Sequence, residues 1–425
     1  MSRGGASVTA TAIQVVVLRP ASDRDTDAYA RTIRSAFDSS GIAGTYLDGA
    51  LNTGVPVLIP QDPTGEDFKE HHAAAMLDAA VFTVMVVLQP SVANPKLRSV
   101  VEDLSSHHSA RIGLMEYYLP RKIELTDVQQ AAPSDRVREQ DLQQPQLAFE
   151  VLQQVRLRLL EYGLKRGSEA QGGGRRRKTR EPTLFLSHAK IDGIPTALSL
   201  LNLVMRLRFR PKNEKSKKET SEEVSRVYYD AVDIKPGENW QKELLRHSSS
   251  SVMIALRTEA YETRTWCRKE YLQAETHGMP IVVVDLRTQQ HHRPERLPFG
   301  RATTVRIHDG NLLRVLVCAL TADVRLLRIE ALVAELLRRL HPRRLPPFVV
   351  LPHAPSELSL AGARAEINRR AGSWKLGYVI YPEPALHGVH ATAARSILGQ
   401  SDVRIRFYTL AELRQRLLGK SRHAA

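Results

Sequence analysis

The stretch YETRTWCRKEYLQAETHG, residues 261–278, lies between two apolar runs with the length and composition of buried strands. The runs are SVMIAL, residues 251–256, and PIVVVDL, residues 280–286. Buried strands joined by a helix are typical of a parallel sheet. The pattern therefore predicts that residues 261–278 form a helix that crosses between neighbouring strands, with Gly278 and Pro280 at its end.

A carboxylate lies at the centre of this stretch. On a helix, Trp266 and Glu270 are one turn apart and share a face, so an acid stands beside an aromatic ring near the first turn. An active-site acid can be made in this way. From spacing alone, an equally good alternative is a surface carboxylate that pairs with Arg264 or Arg268.

Length and composition indicate an ordinary globular protein with two or three domains. The chain has 425 residues, of which 42% are hydrophobic and 25% charged. Its two cysteines, Cys267 and Cys318, lie far apart without a CxxC partner, so neither a disulfide framework nor a zinc site is expected. Because no apolar signal core or membrane span is found, we expect a soluble cytoplasmic protein without membrane contact.

The net charge of +15 allows attraction to nucleic acid, anionic lipid or phosphorylated small molecules. Much of the excess lies in two loop-like runs, at residues 175–180 and 212–218, which we interpret as solvated linker charge. Nucleic-acid binding through the first run is an alternative that we do not favour. Neither run has the interleaved aromatic residues on which bases stack.

Four regions follow from the alternation of strand-like and helix-like segments. Residues 1–164 contain four strand-like runs, at 13–18, 55–60, 79–88 and 110–118, and predict an α/β lobe with a parallel sheet. Residues 165–180 are glycine-rich and basic and predict a linker.

The third region, residues 181–341, alternates five strands with helices, the last of them long, amphipathic and starting near Asn311. This order predicts a doubly wound parallel sheet whose ligand crevice lies outside the carboxyl ends of the strands. Residues 342–425 repeat the pattern with three short strands. The sequence does not decide whether this small C-terminal α/β lobe folds alone or extends a neighbour.

The third region resembles a known family. LFLSHAK with Asp192 and Gly193, YDAVDIKPGENW, Tyr261 with TWCRKE, and PIVVVDL occur in the order and spacing of the Toll/interleukin-1 receptor (TIR) domain. The resemblance is greatest to its bacterial, enzyme-like members. Its most specific part is the combination of SHA, D-x-x-P-G-x-x-W and W-C-x-x-E.

The resemblance implies a flavodoxin-like sheet, self-association through TIR domains, and cleavage of NAD+ into nicotinamide and an ADP-ribose product that some members cyclise. Glu270 would be the catalytic residue, NAD+ the substrate, and no further cofactor would be needed. The chemistry agrees, because a nearby carboxylate stabilises the oxocarbenium-like ribose that forms when nicotinamide leaves. We expect an anti-phage effector that self-association or an unknown partner activates. The alternative is a non-enzymatic TIR scaffold that acts through TIR–TIR contacts.

Other residues are expected to border the same site. Ser187 and His188 end the first strand of the region, where Ser187 contacts ribose or phosphate or, equally well, caps a local turn. Asp230 and Trp240 belong to the segment that the family calls the BB loop, which covers the site and forms assembly contacts. Tyr261 would border the nicotinamide pocket.

Two further residues of the helix receive structural interpretations beside functional ones. Trp266 is placed in the NAD+ site, more as a packing residue beneath it than as a stacking platform. Cys267 is interpreted as a small buried hydrophobic residue. We expect no metal site, and His291 and His292 are interpreted as solvated loop residues.

The N-terminal lobe has the same order of strand-like runs as a TIR domain but no W-C-x-x-E in the corresponding helix, near residues 95–104. If the lobe is a degenerate TIR domain, it has lost the catalytic residue. A sensor or oligomerisation lobe is then its expected use.

Overall fold

The computed structural model describes residues 11–19, 24–37, 57–60, 80–89, 112–118, 183–208, 226–229, 251–287, 302–307, 312–342, 344–382 and 384–422, with isolated positions in 95–100, in 147–159 and at 299. These residues belong to two compact units, one that contains the described residues up to 159 and one that contains those from 183 onward. Both are α/β, and every strand pairing is parallel. The predicted linker at 165–180 lies outside the described residues.

The first unit contains a four-stranded parallel sheet in the order β2-β1-β3-β4. Its elements are β1 (Thr11–Leu18), α1 (Arg24–Phe37), β2 (Val57–Leu58), β3 (Ala80–Gln89) and β4 (Ile112–Tyr118). Successive residues of the central strands, such as Val16 and Val17, are fully buried, so the sheet is covered on both faces. The four predicted strands are confirmed, although the second is reduced to two paired residues.

The second unit begins with a five-stranded parallel sheet in the order β6-β5-β7-β8-β9. The strands are β5 (Thr183–His188), β6 (Arg226–Tyr229), β7 (Ser251–Arg257), β8 (Ile281–Asp285) and β9 (Thr303–Arg306). All five were predicted from the sequence. The chain therefore leaves β5 for one edge strand and then crosses to the other side of β5.

Among the described residues, three helices connect or follow these strands: α2 (Ile194–Arg208), α3 (Thr265–Thr276) and α4 (Leu312–Leu340). The helix predicted over 261–278 is α3, preceded by a single 3-10 turn, Tyr261–Thr263. Gly278 adopts a φ of 64°, a left-handed conformation that favours glycine, and it ends the helix as expected.

The C-terminal lobe contains a three-stranded parallel sheet in the order β10-β11-β12. Its elements are β10 (Phe348–Val350), α5 (Glu357–Ala371), β11 (Leu376–Tyr381), α6 (Gly388–Gly399), β12 (Arg404–Thr409) and α7 (Leu410–Arg422). Alternate residues of β11 face opposite cores. Tyr378 and Ile380 pack with residues of α4 and α7, whereas Val379 and Tyr381 pack with residues of α5 and α6.

Helix α4 packs against both sheets of the second unit. At 29 residues it is about 44 Å long. Its first half is buried from Val315 to Val324 and contacts β7 and β8, and its second half packs Val333 and Leu337 against the C-terminal sheet. The C-terminal lobe thus extends its neighbour through a shared helix, which answers the question that the sequence left open.

Further contacts join the C-terminal lobe to β8 and to the end of α3. The imidazole Nε2 of His353 accepts a hydrogen bond from the backbone N–H of Ile281 at 2.9 Å. Helix α5 lies against α3 so closely that a Cβ atom at Gly362 would overlap the carbonyl oxygen of Thr276. The end of α3 is therefore fixed by the C-terminal lobe as well as by its own sheet.

Candidate active site

Three polar side chains meet at the carboxyl end of β5, beneath α3. The Ser187 hydroxyl donates a hydrogen bond to Oε2 of Glu270 at 2.6 Å. The hydroxyl oxygens of Ser187 and Tyr261 are 2.8 Å apart. Because the single hydrogen of Ser187 points to Glu270, the Tyr261 hydroxyl is the donor to Ser187. The result is a directed chain from Tyr261 through Ser187 to the carboxylate.

All three members of this chain are withdrawn from solvent. Their exposed fractions are 0% for Tyr261, 1% for Ser187 and 3% for Glu270. Glu270 is therefore not the surface carboxylate that the alternative interpretation assumed. A buried carboxylate requires compensating hydrogen bonds, and the Ser187 hydroxyl supplies one of them.

The buried face of α3 explains how Glu270 reaches Ser187. Cys267, Glu270, Tyr271 and Ala274 follow the three- and four-residue spacing of one helix face, and all four are buried. Cys267 is 3% exposed and its thiol contacts the backbone oxygen of His188 at 3.5 Å, so its interpretation as a small buried residue is confirmed.

Burial and the Glu270 carboxylate together keep the neighbouring groups protonated. Burial, and then the charge of Glu270, raises the pKa of Tyr261 well above its ordinary value. The same two causes raise the pKa of Cys267 to about 12. Tyr261 therefore remains a hydrogen-bond donor at neutral pH, and Cys267 is not a thiolate nucleophile.

The loop that carries Tyr261 is held from two sides. Asp192 accepts hydrogen bonds from the Thr258 hydroxyl at 2.7 Å and from the backbone N–H of Ala260 at 3.1 Å. Arg257, at the end of β7, forms an ion pair with Glu262 at 2.6 Å. These contacts fix the 3-10 turn and with it the Tyr261 hydroxyl.

No role was predicted for Asp192, Arg257 or Glu262. The signal for Asp192 was its place directly after a central strand, where loops meet at the carboxyl edge. The signal for Arg257 was a charged residue at the end of an otherwise apolar strand. Neither signal identifies the partner residue. The partners of Asp192, which are Thr258 and Ala260, lie far along the chain.

Trp266 does not pack beneath the site, and that expectation is wrong. Its side chain is 44% exposed, with the Lys269 ammonium 5.8 Å from the ring centroid. At 3.6 residues per turn, Trp266 lies about 40° further round the helix than Glu270, which itself stands at the margin of the buried face. The indole is thus available to solvent one turn before the carboxylate.

The other predicted site residues have different outcomes. His188 follows Ser187 at the end of β5 and is 6% exposed. Because successive strand residues point to opposite faces, the side chains of His188 and Ser187 lie on different faces of the sheet. Asp230 and Trp240 lie outside the described residues, as do the rest of the predicted BB loop, His291 and His292. Their roles stay predictions.

Neither the protein-family models nor the curated proteins that we compared with the chain gave a match. Within the described residues, no group of three or more histidine, cysteine, aspartate or glutamate side chains is arranged to hold a metal ion. No helix among those residues is long and apolar enough to cross a membrane.

Proposed function

We propose that the protein is a TIR-domain enzyme that cleaves the nicotinamide–ribose bond of NAD+, with Glu270 as the catalytic residue. The observation that carries the proposal is the buried Glu270 carboxylate, bonded to Ser187 at the carboxyl end of a central strand. Water completes the hydrolysis, in which nicotinamide leaves with the electron pair of the broken bond and ADP-ribose and a proton are released. In a cyclising variant, a nucleophile of the substrate itself replaces water.

The strand order supports a flavodoxin-like TIR fold. Numbered within its own sheet, the order β6-β5-β7-β8-β9 is 2-1-3-4-5, which is the order of flavodoxin-like doubly wound proteins. In such sheets the ligand lies at the switch point, which here is between β5 and β7. Ser187 ends β5 and the loop after β7 carries Tyr261, so the candidate site occupies that position.

The chemistry requires a negative charge beside the ribose, and Glu270 supplies it. An oxocarbenium-like sugar develops positive charge at the carbon that nicotinamide leaves, and a fixed carboxylate stabilises that charge without reorganisation. Ser187 was expected either to contact the substrate or to cap a local turn, and Tyr261 was expected to border the nicotinamide pocket. Their burial favours a different role, in which they orient the carboxylate and leave substrate stacking to the exposed Trp266.

The burial of Glu270 also supports a slow resting state. A carboxylate that is 3% exposed cannot meet a ribose unless the residues above it move. Self-association or a partner that rearranges this cover would then raise turnover, in agreement with an effector that responds to a trigger.

The test is Glu270→Gln, which keeps the shape and removes the charge. We expect NAD+ consumption to fall at least about 100-fold, the scale of losing one electrostatic contact to a transition state. Nicotinamide and ADP-ribose products are resolved by chromatography after incubation of the purified protein with NAD+, both alone and under conditions that promote assembly. Glu275→Gln, on the same helix, is the control and should retain activity. Equal turnover in Glu270→Gln and the parent protein would sink the proposal.

A scaffold without enzymatic activity is the second candidate. The hydrogen bond from Ser187 and the low exposure of Glu270 also fit a carboxylate that serves only the packing of α3. A scaffold would show no NAD+ consumption in any assembly state. It would keep partner recruitment in Glu270→Gln and lose it when Pro236 or Gly237 in the predicted BB loop is replaced.

A further inference from the structure

Arginines and aromatic rings alternate across one face of the C-terminal lobe. We call this face the arginine–aromatic surface and define it by His341, Arg344, Trp374, Arg406, Tyr408 and Arg416, of which the three rings are partly buried. Tyr378 is 1% exposed and belongs to the core beneath this surface. The basic runs that the sequence suggested, at 175–180 and 212–218, contain no aromatic residue. The fold assembles here what no single run displays.

The first half of the surface is a connected set of ring contacts. His341 Nε2 and the Tyr378 hydroxyl are 2.7 Å apart, and the His341 and Trp374 rings meet edge to face with centroids 6.2 Å apart. The Arg344 guanidinium carbon lies 5.5 Å from the Trp374 centroid. Arg344 also donates a hydrogen bond to the Ser373 hydroxyl at 3.0 Å.

The second half continues across the sheet. Tyr378 on β11 is the register partner of Arg406 on β12, and Tyr408 lies two residues further on the same face. The Arg416 guanidinium carbon is 4.7 Å from the Tyr408 centroid. Burial raises the pKa of Tyr378, and the charges of Arg406 and Arg416 oppose that rise.

The charge of this surface stands out because, among the residues that the structure describes, its exposed arginines form no ion pair with a carboxylate. Residues 342–425 contain more than twice as many lysines and arginines as aspartates and glutamates. Within the described part of the lobe, Glu366 pairs with Arg369 and Arg370, whereas no carboxylate pairs with Arg344, Arg404 or Arg416. Arg404 and Arg414 are exposed and extend the positive charge along β12 and α7.

We propose that the arginine–aromatic surface binds single-stranded nucleic acid. Guanidinium groups bind phosphate oxygens, and aromatic rings together with flat guanidinium planes stack bases. A surface for anionic lipid would need the charge but not the rings. The inference goes beyond the proposed NAD+ chemistry and does not depend on it.

The number of exposed arginines sets the expected salt dependence. If about four phosphates are neutralised, the logarithm of affinity falls by about 0.7 per phosphate for each tenfold rise in salt. An increase from about 50 mM to about 200 mM salt then lowers the affinity roughly 50-fold.

Binding is measured by fluorescence anisotropy with the full chain and labelled single-stranded DNA and RNA of mixed sequence. The comparison also shows whether the surface prefers DNA or RNA. Arg416→Glu should weaken binding about tenfold and reduce the salt slope by about one. Arg395→Glu is the matched control, because Arg395 is an exposed residue of α6 on the other side of the sheet. The affinity of this variant for the oligonucleotides should stay within about twofold of that of the parent protein. Trp374→Ala should weaken binding about tenfold through lost stacking. Thermal melting confirms that each variant is folded.

Several results would overturn the proposal. They are the lack of saturable oligonucleotide binding at low salt, an equal loss in Arg395→Glu, and a loss that follows only replacement of residues 175–177. Vesicles that contain phosphatidylserine provide the remaining arm. Binding to them that depends on Arg416 but not on Trp374, together with weak oligonucleotide binding, would assign the surface to anionic lipid instead. If Trp374→Ala melts early, Tyr408→Leu replaces it as the stacking variant.

Discussion

At the scale of single residues, the position of Glu270 depends on two hydroxyl groups. Tyr261 donates to Ser187, and Ser187 donates to the carboxylate, over distances of 2.8 and 2.6 Å. Each hydrogen bond fixes the direction of the next, so Tyr261 influences Glu270 without contacting it through a hydrogen bond. We therefore regard Tyr261 as a positioning residue of the proposed reaction.

Tyr261→Phe tests this role because it removes only the hydroxyl. Ser187 then loses its donor and is free to rotate, so we expect kcat for NAD+ cleavage to fall about tenfold while KM changes little. Steady-state kinetics measure both constants. A rise in KM at constant kcat would instead mean that Tyr261 contacts NAD+, as the resemblance to TIR domains implies.

At the scale of elements, α3 makes two contacts that bear on the site, one from its middle and one from its end. Glu270 in its middle reaches Ser187 on β5, and Thr276 at its end lies against Gly362 on α5. A rigid helix transmits a displacement along its axis. The contact of α5 with the end of α3 therefore contributes to the position of the Glu270 carboxylate.

Gly362→Ala is expected to push α5 away from α3, because the new methyl group would overlap the Thr276 carbonyl. We predict a loss of about 1–3 kcal/mol in the free energy of unfolding, measured with urea, and a lower kcat. Gly399→Ala is the control, since nothing lies within 4 Å of a Cβ at that position. It should be neutral or slightly stabilising. Equal effects of the two changes would contradict the contact.

Much of this element structure could be predicted from the sequence, because strands buried on both faces read as uninterrupted apolar runs. SVMIAL, residues 251–256, became β7 (Ser251–Arg257) with the addition of a single residue. The contacts of the site could not be predicted, since Ser187 and Glu270 are separated by 83 residues and nothing local encodes their distance. The exposure of Trp266 was missed because its spacing from Glu270 shows that the two residues share a helix face but not where the buried part of that face ends.

At the scale of the whole molecule, the C-terminal lobe and the five-stranded sheet share one helix. Val333 and Leu337 of α4 belong to the core of the C-terminal sheet, whereas Val315 and Val317 are buried in its first half, which contacts β7 and β8. The two sheets of this unit should therefore unfold together rather than as separate domains.

Leu337→Ala tests this coupling. Leu337 is fully buried, so we expect its truncation to cost about 2–5 kcal/mol and to lower the protection of both sheets. Hydrogen exchange followed by mass spectrometry reports peptides from β7 and β8 separately from those of β10 to β12. Leu358→Ala, at a position that is 39% exposed, is the control and should cost less than about 1 kcal/mol. Loss of protection confined to β10–β12 would show that the sheets unfold independently.

The continuity of α4 also restricts how the length of this chain can change. Each residue of a helix turns it by about 100° and advances it by about 1.5 Å. One residue inserted near Leu326 would rotate Val333 and Leu337 away from Tyr378, while the first half of the helix kept its contacts with β7 and β8. An insertion of about seven or eleven residues would restore the rotation but would still move the C-terminal lobe by about 10 Å or more along the helix, away from its contacts with α3 and β8, so the length of α4 is constrained at both sheets.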